Sequence, residues 1–309
     1  MKALFRSAVT VGALTLLATA GRAAEDAIPT LKSAWKLDLP AGTKRIAIAD
    51  VTGDKTLRLL TLDGAGVLTV QKVADAGPVK EDTISLGDSA DQFAVGRFAK
   101  DKPAVIVVPG AVFYRDGDKY AKKAAADIKL VSGTVRFADG VESYMVFDPS
   151  QRDSAPQSFI IDLAADNPVK TGPAVPQPDQ KPELFRDLSP ILPPAMFESA
   201  PFPESMKKGA ILRLFFYAKS KKIYGLVAWQ SATTHLALLN GSDIFQGPNG
   251  DLKPIWQSPN LAGKILDIAF GASVKDAKQN GVYLLEQSGD DGKSRQLEFF
   301  TIDAEAPKP

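Results

Sequence analysis

One charged position recurs along this chain of 309 residues. Asp50, Arg97, Arg136, Arg213 and Asp267 each close or interrupt a short apolar run, and an apolar residue follows each of them. Three guanidinium groups and two carboxylates on one ring of strand ends can hold an anionic or sugar-like ligand. The same charges can instead neutralise one another and seal that ring. Nucleophilic catalysis has little to draw on. The chain has 0 cysteines and 1 histidine, and His235 sits in the alternating run Thr233 to Leu238, where it reads as a structural residue. There is no G-x-S-x-G turn, and a zinc centre lacks its nitrogen and sulfur ligands. The glycines around Gly110 and from Gly289 to Gly292 do not have a phosphate-binding spacing. Paired acids remain, Asp139 with Glu142 or Asp50 with Asp267. Two carboxylates flanking a glycosidic bond are the machinery of glycoside hydrolysis.

The elements that must position these residues are strands. Helical periodicity is almost absent; the alanine-rich stretch from Lys119 to Ile128 is the best helical candidate. Short apolar or alternating runs dominate instead, separated by Asp63-Gly64, Asp116-Gly117, Asp139-Gly140, Asn240-Gly241, Asn280-Gly281 and Asp291-Gly292. Such pairs adopt the positive φ angles of tight hairpin turns. After each charged position comes a second strand: Leu57 to Leu62, Ala104 to Val108, Ser143 to Phe147, Ile223 to Trp229 and Gly281 to Glu286. A third strand then follows: Val67 to Val73, Ala111 to Tyr114, Ser158 to Leu163, His235 to Leu239 and Gln296 to Ile302. Pro78 to Leu86 and Leu252 to Gln257 supply polar outer strands. Ser33 to Leu39 has the same character, but no block precedes it.

A spare first strand and a last block that stops at its third strand point to an all-β propeller closed by the N-terminal strand. Closure of this kind removes free sheet edges. Three of the four intervals between the charged positions span roughly the 40–50 residues of a four-stranded blade. The interval from Arg136 to Arg213 is longer. Its centre, 168–203, carries ten prolines, which lack the donors of a regular ladder. The reading is five blades with a proline-rich insertion at about residues 165–208; six blades, one of them degenerate, is the alternative. Within the insertion, Ile191, Leu192, Met196, Phe197 and Phe202 set large apolar groups on a stiff extended arm suited to docking on a partner. The arm can equally lie back on its own blades. Trp35, Trp229 and Trp256 sit in apolar strand contexts and read as core.

The first block, Asp50-Val51-Thr52-Gly53-Asp54-Lys55 leading into Leu57 to Leu62, resembles the FG-GAP/VCBS repeat of integrin α-subunit heads and bacterial surface proteins. The resemblance implies a propeller and, at Asp50, Thr52 and Asp54, the first positions of a calcium loop. Arg58 stands where that family places its last carboxylate, and a cation there repels a metal. No resident metal or cofactor is therefore expected, and Asp50 and Arg58 are expected to pair with each other. Elsewhere Arg97, Arg136 and Arg213 replace the acid outright, while Asp267 keeps it.

Lys2 and Arg6, the apolar stretch from Ser7 to Ala20 and the small residues around Ala23 read as a signal peptide over 1–23. The mature chain is then a single domain over 24–309 with no membrane-spanning segment. Without cysteine it carries no disulfide, which suits a periplasmic or extracellular protein held by its core. Lys and Arg number 37 against 36 Asp and Glu; this balance lacks the basic excess of a nucleic-acid binder. The expected role is a binding or scaffold protein for a protein or polysaccharide partner, with a glycosidase-like enzyme as the alternative.

Overall fold

The computed structural model describes residues 28–87, 90, 92–99, 101–128, 134–136, 142–146, 157–171, 186–187, 210–219, 222–230, 234–240, 255–258, 263–288 and 293–305. Every regular element among them is a β-strand. β1 is Ile28–Leu39. The first unit is β2 (Thr43–Ala49), β3 (Arg58–Asp63), β4 (Val67–Ala74) and β5 (Gly77–Ser85), an antiparallel four-stranded sheet in chain order. β6 (Ala94–Gly96), β7 (Val105–Val108), β8 (Gly110–Asp116) and β9 (Lys119–Ala125) repeat that arrangement. Next come β10 (Thr134–Arg136), β11 (Glu142–Val146), β12 (Gln157–Ile161), β13 (Val169–Thr171), β14 (Arg186–Asp187), β15 (Ala210–Lys219), β16 (Lys222–Gln230), β17 (Thr234–Asn240) and β18 (Trp256–Gln257). The chain ends with β19 (Lys264–Ala272), β20 (Asn280–Ser288) and β21 (Ser294–Glu305).

Two arrangements follow from the sequence rhythm. β1 runs antiparallel along β21, from Ile28 opposite Glu305 to Leu39 opposite Arg295, so the last sheet has the order β1-β21-β20-β19. The first strand thus supplies the fourth strand that the last unit lacks. The innermost strands also meet in succession: β19 lies against β2, β2 against β6, β6 against β10, and β15 against β19.

The core explains why so many strands are apolar at consecutive positions. A strand buried on both faces reads as a continuous hydrophobic run. Leu59 packs with Tyr283, Leu285 and Phe299 of the last sheet, while Leu60 and Leu62 face Ile106, Val108 and Phe113 of the second. Val105 and Val107 turn the other way, toward Ile161. Val282 and Leu284 pack against Leu236 and Leu238, and Tyr283 and Leu285 against the first unit. Each sheet is thus sandwiched between two others, and their shared clusters are the hydrophobic core.

Two features depart from the sequence reading. The alanine-rich stretch expected to be helical is the edge strand β9, paired from Asp116 opposite Lys119 to Gly110 opposite Ala125. Gly117, at φ 58, makes the tight turn that returns the chain along β8, and this hairpin with its strand pairing overrides the high intrinsic helix propensity of alanine and lysine. The third and fourth units are also not separate sheets. β14, from a proline-free part of the insertion, pairs with both β10 and β15: Arg186 lies opposite Val135 on one side and Phe216 on the other. Nine strands therefore form one sheet. β13, inside the same interval, serves as the outer strand of the third unit. Prolines forbid ladder bonds only where they stand, so the segments between them are free to pair.

Candidate functional site

The recurring charged position resolves into two levels. Asp50 and Arg97 directly follow the last residues of β2 and β6, and Arg136 is the last residue of β10. Arg213 and Asp267 instead lie early in β15 and β19, just past a register shift between Ile211 and Arg213 and another between Ile265 and Asp267. β2 has the same shift between Thr43 and Arg45. Arg45, not Asp50, is thus the counterpart of Arg213 and Asp267, and the five residues do not share one level. Period-two alternation lets the motif slide along a strand without changing its appearance. Lys44-Arg45-Ile46, set beside Leu212-Arg213-Leu214 and Leu266-Asp267-Ile268, is the signal that identifies Arg45.

The bulge residues fasten the last sheet to the first. Asp267 is 1% exposed. Its Oδ2 accepts the Ile46 backbone N–H at 2.8 Å, and Arg45 Nη1 reaches Oδ1 at 3.4 Å. One carboxylate therefore terminates a backbone donor on a neighbouring sheet and meets that sheet's arginine.

The Asp50 loop is built differently from the expected pair. Asp50 turns inward on its own loop and accepts the N–H groups of Gly53 at 2.7 Å and Lys55 at 3.0 Å. Its carbonyl takes the Ala104 N–H from the second unit at 2.7 Å. Gly53 has φ 86, and a Cβ there would stand 2.9 Å from Pro103 Cγ, so the loop closes only on a glycine. Arg58 bypasses Asp50. Its Nη1 and Nη2 both donate to Asp54, at 2.5 and 2.8 Å, and its Nε donates to Glu81 at 2.9 Å. The expected Asp50–Arg58 pair is therefore replaced by an Asp54–Arg58–Glu81 bridge, because the backbone donors of the tight turn claim Asp50 first. The guanidinium hydrogen bond holds Asp54 far below the usual carboxylate range, and Asp54, followed by Glu81, raises Arg58 in turn. Among the described residues, no three His, Asp or Glu side chains are placed to hold a metal ion.

Arg58 fills the space between Asp54 and Glu81 with its own guanidinium. Arg58→Ala is expected to cost about 1–2 kcal/mol. The value is modest because the stranded Asp54 and Glu81 side chains, 51% and 32% exposed, can be hydrated. Denaturant melts measure it directly. Because the Asp54 pKa is depressed in the folded chain, this stabilisation is present above the ordinary aspartate range and fades as pH falls below it. Added calcium is expected to leave the melting temperature of the unsubstituted chain level, since only a ligand bound by the native state raises it. A clear rise would show that the metal displaces the guanidinium.

Arg97 is half-buried at the end of β6. Arg136 pairs in register with Glu142, and Arg213 with Ala228. Asp139 and the arm residues Ile191, Leu192, Met196, Phe197 and Phe202 lie outside the described residues. Of the tryptophans, Trp35 is half-buried against the edge of a core cluster, stacked on Phe299 at 5.3 Å. Trp229 lies opposite His235, and Trp256 opposite Leu238. No helix among the described residues is long and apolar enough to cross a membrane.

No family model and no curated protein matches the chain. Among solved structures, it is similar to BBS1N crystallised in complex with ARL6DN, at TM-score 0.40 and 13% identity over 90% of this chain and 98% of that one. It is also similar to Sqt1 of Saccharomyces cerevisiae, at TM-score 0.39 and 8% identity over 89% of this chain and 100% of that one.

Proposed function

We propose that this chain is an exported β-propeller of five units, a degenerate relative of FG-GAP repeat proteins, that serves as a binding or scaffold protein for a protein or polysaccharide. The observation that carries the reading is the use made of its charged side chains. Asp267 and Asp50 are occupied by backbone donors, and Asp54 and Glu81 by Arg58. A general acid or a nucleophile needs a carboxyl group free to meet substrate, and these acids are tied to structure. Ring closure is supported by the β1–β21 pairing and by the succession of inner strands. Loops and the proline-rich arm are the parts we assign to meet a partner, on a rigid frame.

The experiment compares the chain over 24–309 with a variant lacking 189–205, which removes the arm and keeps β13 and β14. Both are offered an exported-protein fraction and a panel of polysaccharides, and assayed on chromogenic glycosides. Retention of one defined partner by the full chain and its loss from the variant is the expected result. Glycoside turnover abolished by Asp50→Asn or Asp267→Asn would overturn the binding role in favour of catalysis.

A further inference from the structure

The face that the last sheet turns toward Leu236 and Leu238 is apolar along most of its length, with Val282, Leu284, Ile265, Ile268 and Phe300. It ends in two acids. On β20 the alternation Val282, Leu284 continues to Glu286, and on β21 Phe300 is preceded at the same parity by Glu298. Glu286 lies opposite Gln296, and Leu284 opposite Glu298. The two carboxyl groups are therefore diagonal neighbours on one face, within reach of each other. Both residues are buried, at 6% and 5% exposure.

Their partners are unequal. Ser33 donates its hydroxyl to Glu298, and Lys36 Nζ stands 3.0 Å from its other oxygen. Glu286 Oε1 is buried with no hydrogen-bond partner among the described residues. Gly263 crowds it: a Cβ there would meet Glu286 Oε2 at 3.2 Å. Among the described side chains, the other elements on this face bring no compensating charge. β17 contributes Leu236 and Leu238, with His235 at the alternate register, and Ile255 precedes β18. Lys264, at the start of β19, is exposed to solvent. Among the described side chains, the charge at this corner thus comes from Glu286, Glu298 and Lys36. With both acids ionised, one buried carboxylate has no counter-ion, and such a group retains a proton instead.

We propose that Glu286 and Glu298 hold one proton between them in the folded chain and form a pH-sensitive latch between the sheet that carries β1 and its neighbour. With the proton in place, Glu286 is a neutral acid inside the seam. Its loss leaves a second negative charge beside Glu298 and weakens the seam along β20, β21 and β1. Burial, and then the Glu298 charge, push Glu286 above the ordinary glutamate range, in keeping with this geometry. The folded chain then binds more protons than the unfolded chain between the ordinary and the raised value. The stabilisation is complete below the ordinary range and is lost as pH rises through the raised value.

Melting temperatures across about pH 4 to 8 test the latch in the unsubstituted chain and in Glu286→Gln, which keeps the shape without the titration. The two are expected to coincide at the acid end and to separate as pH rises, the variant becoming the more stable. The gap in folding constant should open by up to about tenfold per pH unit, the slope of one proton. Glu298→Gln, which leaves Lys36 to Glu286, should flatten the same slope. Identical pH profiles for the unsubstituted chain and Glu286→Gln would overturn the proposal. If a variant fails to fold, carbon-13 titration of the Glu286 carboxyl in the unsubstituted chain decides. A midpoint above the glutamate range supports the latch, and an ordinary midpoint removes it.

Discussion

Phe299→Ala is expected to lower the stability of the fold by about 3–5 kcal/mol, the range for deleting a large buried aromatic side chain. Phe299 is 0% exposed. It lies directly opposite Trp35 in the β1–β21 ladder and stacks on it at 5.3 Å with a 20° tilt; its ring also meets Tyr283 at 4.7 Å. It covers Gly281 so closely that a Cβ there would stand 2.7 Å from its ring and 1.9 Å from the Phe300 carbonyl oxygen. The cavity left by alanine is unable to collapse. Tyr283 is pinned because its hydroxyl donates to Ala272 O and accepts from Val274 N–H, both at 2.7 Å, and Trp35 is held by its indole donation to Ser273 at 3.3 Å. The cost therefore belongs near the upper part of the range. Denaturant unfolding measures it, and hydrogen exchange along β1 should rise first, because this ring stitches the first strand to the last. A loss below about 1 kcal/mol, the centre for ordinary substitutions, would mean that the aromatic cluster does not hold the two termini together.

Asp267→Ala carries the second large effect, about 2–3 kcal/mol. Among the described contacts of Asp267, two losses compete in setting the number. The ion pair with Arg45 contributes little, since Arg45 is 35% exposed and water can replace the carboxylate. The Ile46 N–H has no such recourse: its acceptor is Asp267, and it lies in a buried contact between two sheets. An unsatisfied buried donor costs about 1–3 kcal/mol, so the backbone bond dominates. Asp267→Asn separates the two terms. It keeps an oxygen for Ile46 and removes the charge, and is expected to lose less than half of what alanine loses. Equal losses in the two variants would show that the charge, rather than the backbone donor, makes this carboxylate necessary.

Much of the fold was legible in the residues, and the reasons are local. Strand identity follows from apolar runs bounded by Asp-Gly and Asn-Gly turns, which is why the expected second and third strands fall within a few residues of the observed ones. The partnership of the first and last strands could be read from a counting argument: one strand too many at the start and one too few at the end. Strand β9 was not legible, because alanine and lysine are intrinsically good helix formers and only the hairpin overrides that preference. Nor was β14, because a two-residue strand has no periodicity of its own and exists only where two unpaired edges face it.

The site divides along the same line. The sequence alone determined the residue inventory: no cysteine, one histidine, near-equal charges, and an arginine, Arg58, at the end of the first loop. Those facts limit the chemistry whatever the fold. Only the tertiary structure decided what each charge does. It moved Arg213 and Asp267 to a bulge shared with Arg45, sent Arg58 to Asp54 and Glu81, turned Asp50 onto its own loop, and through the β20–β21 register set Glu286 diagonally across from Glu298. The physical reason is that a charged side chain settles on whichever donor or acceptor its surroundings bring within about 3 Å. That choice depends on bulges, registers and neighbouring sheets, whereas a strand depends on the dozen residues around it.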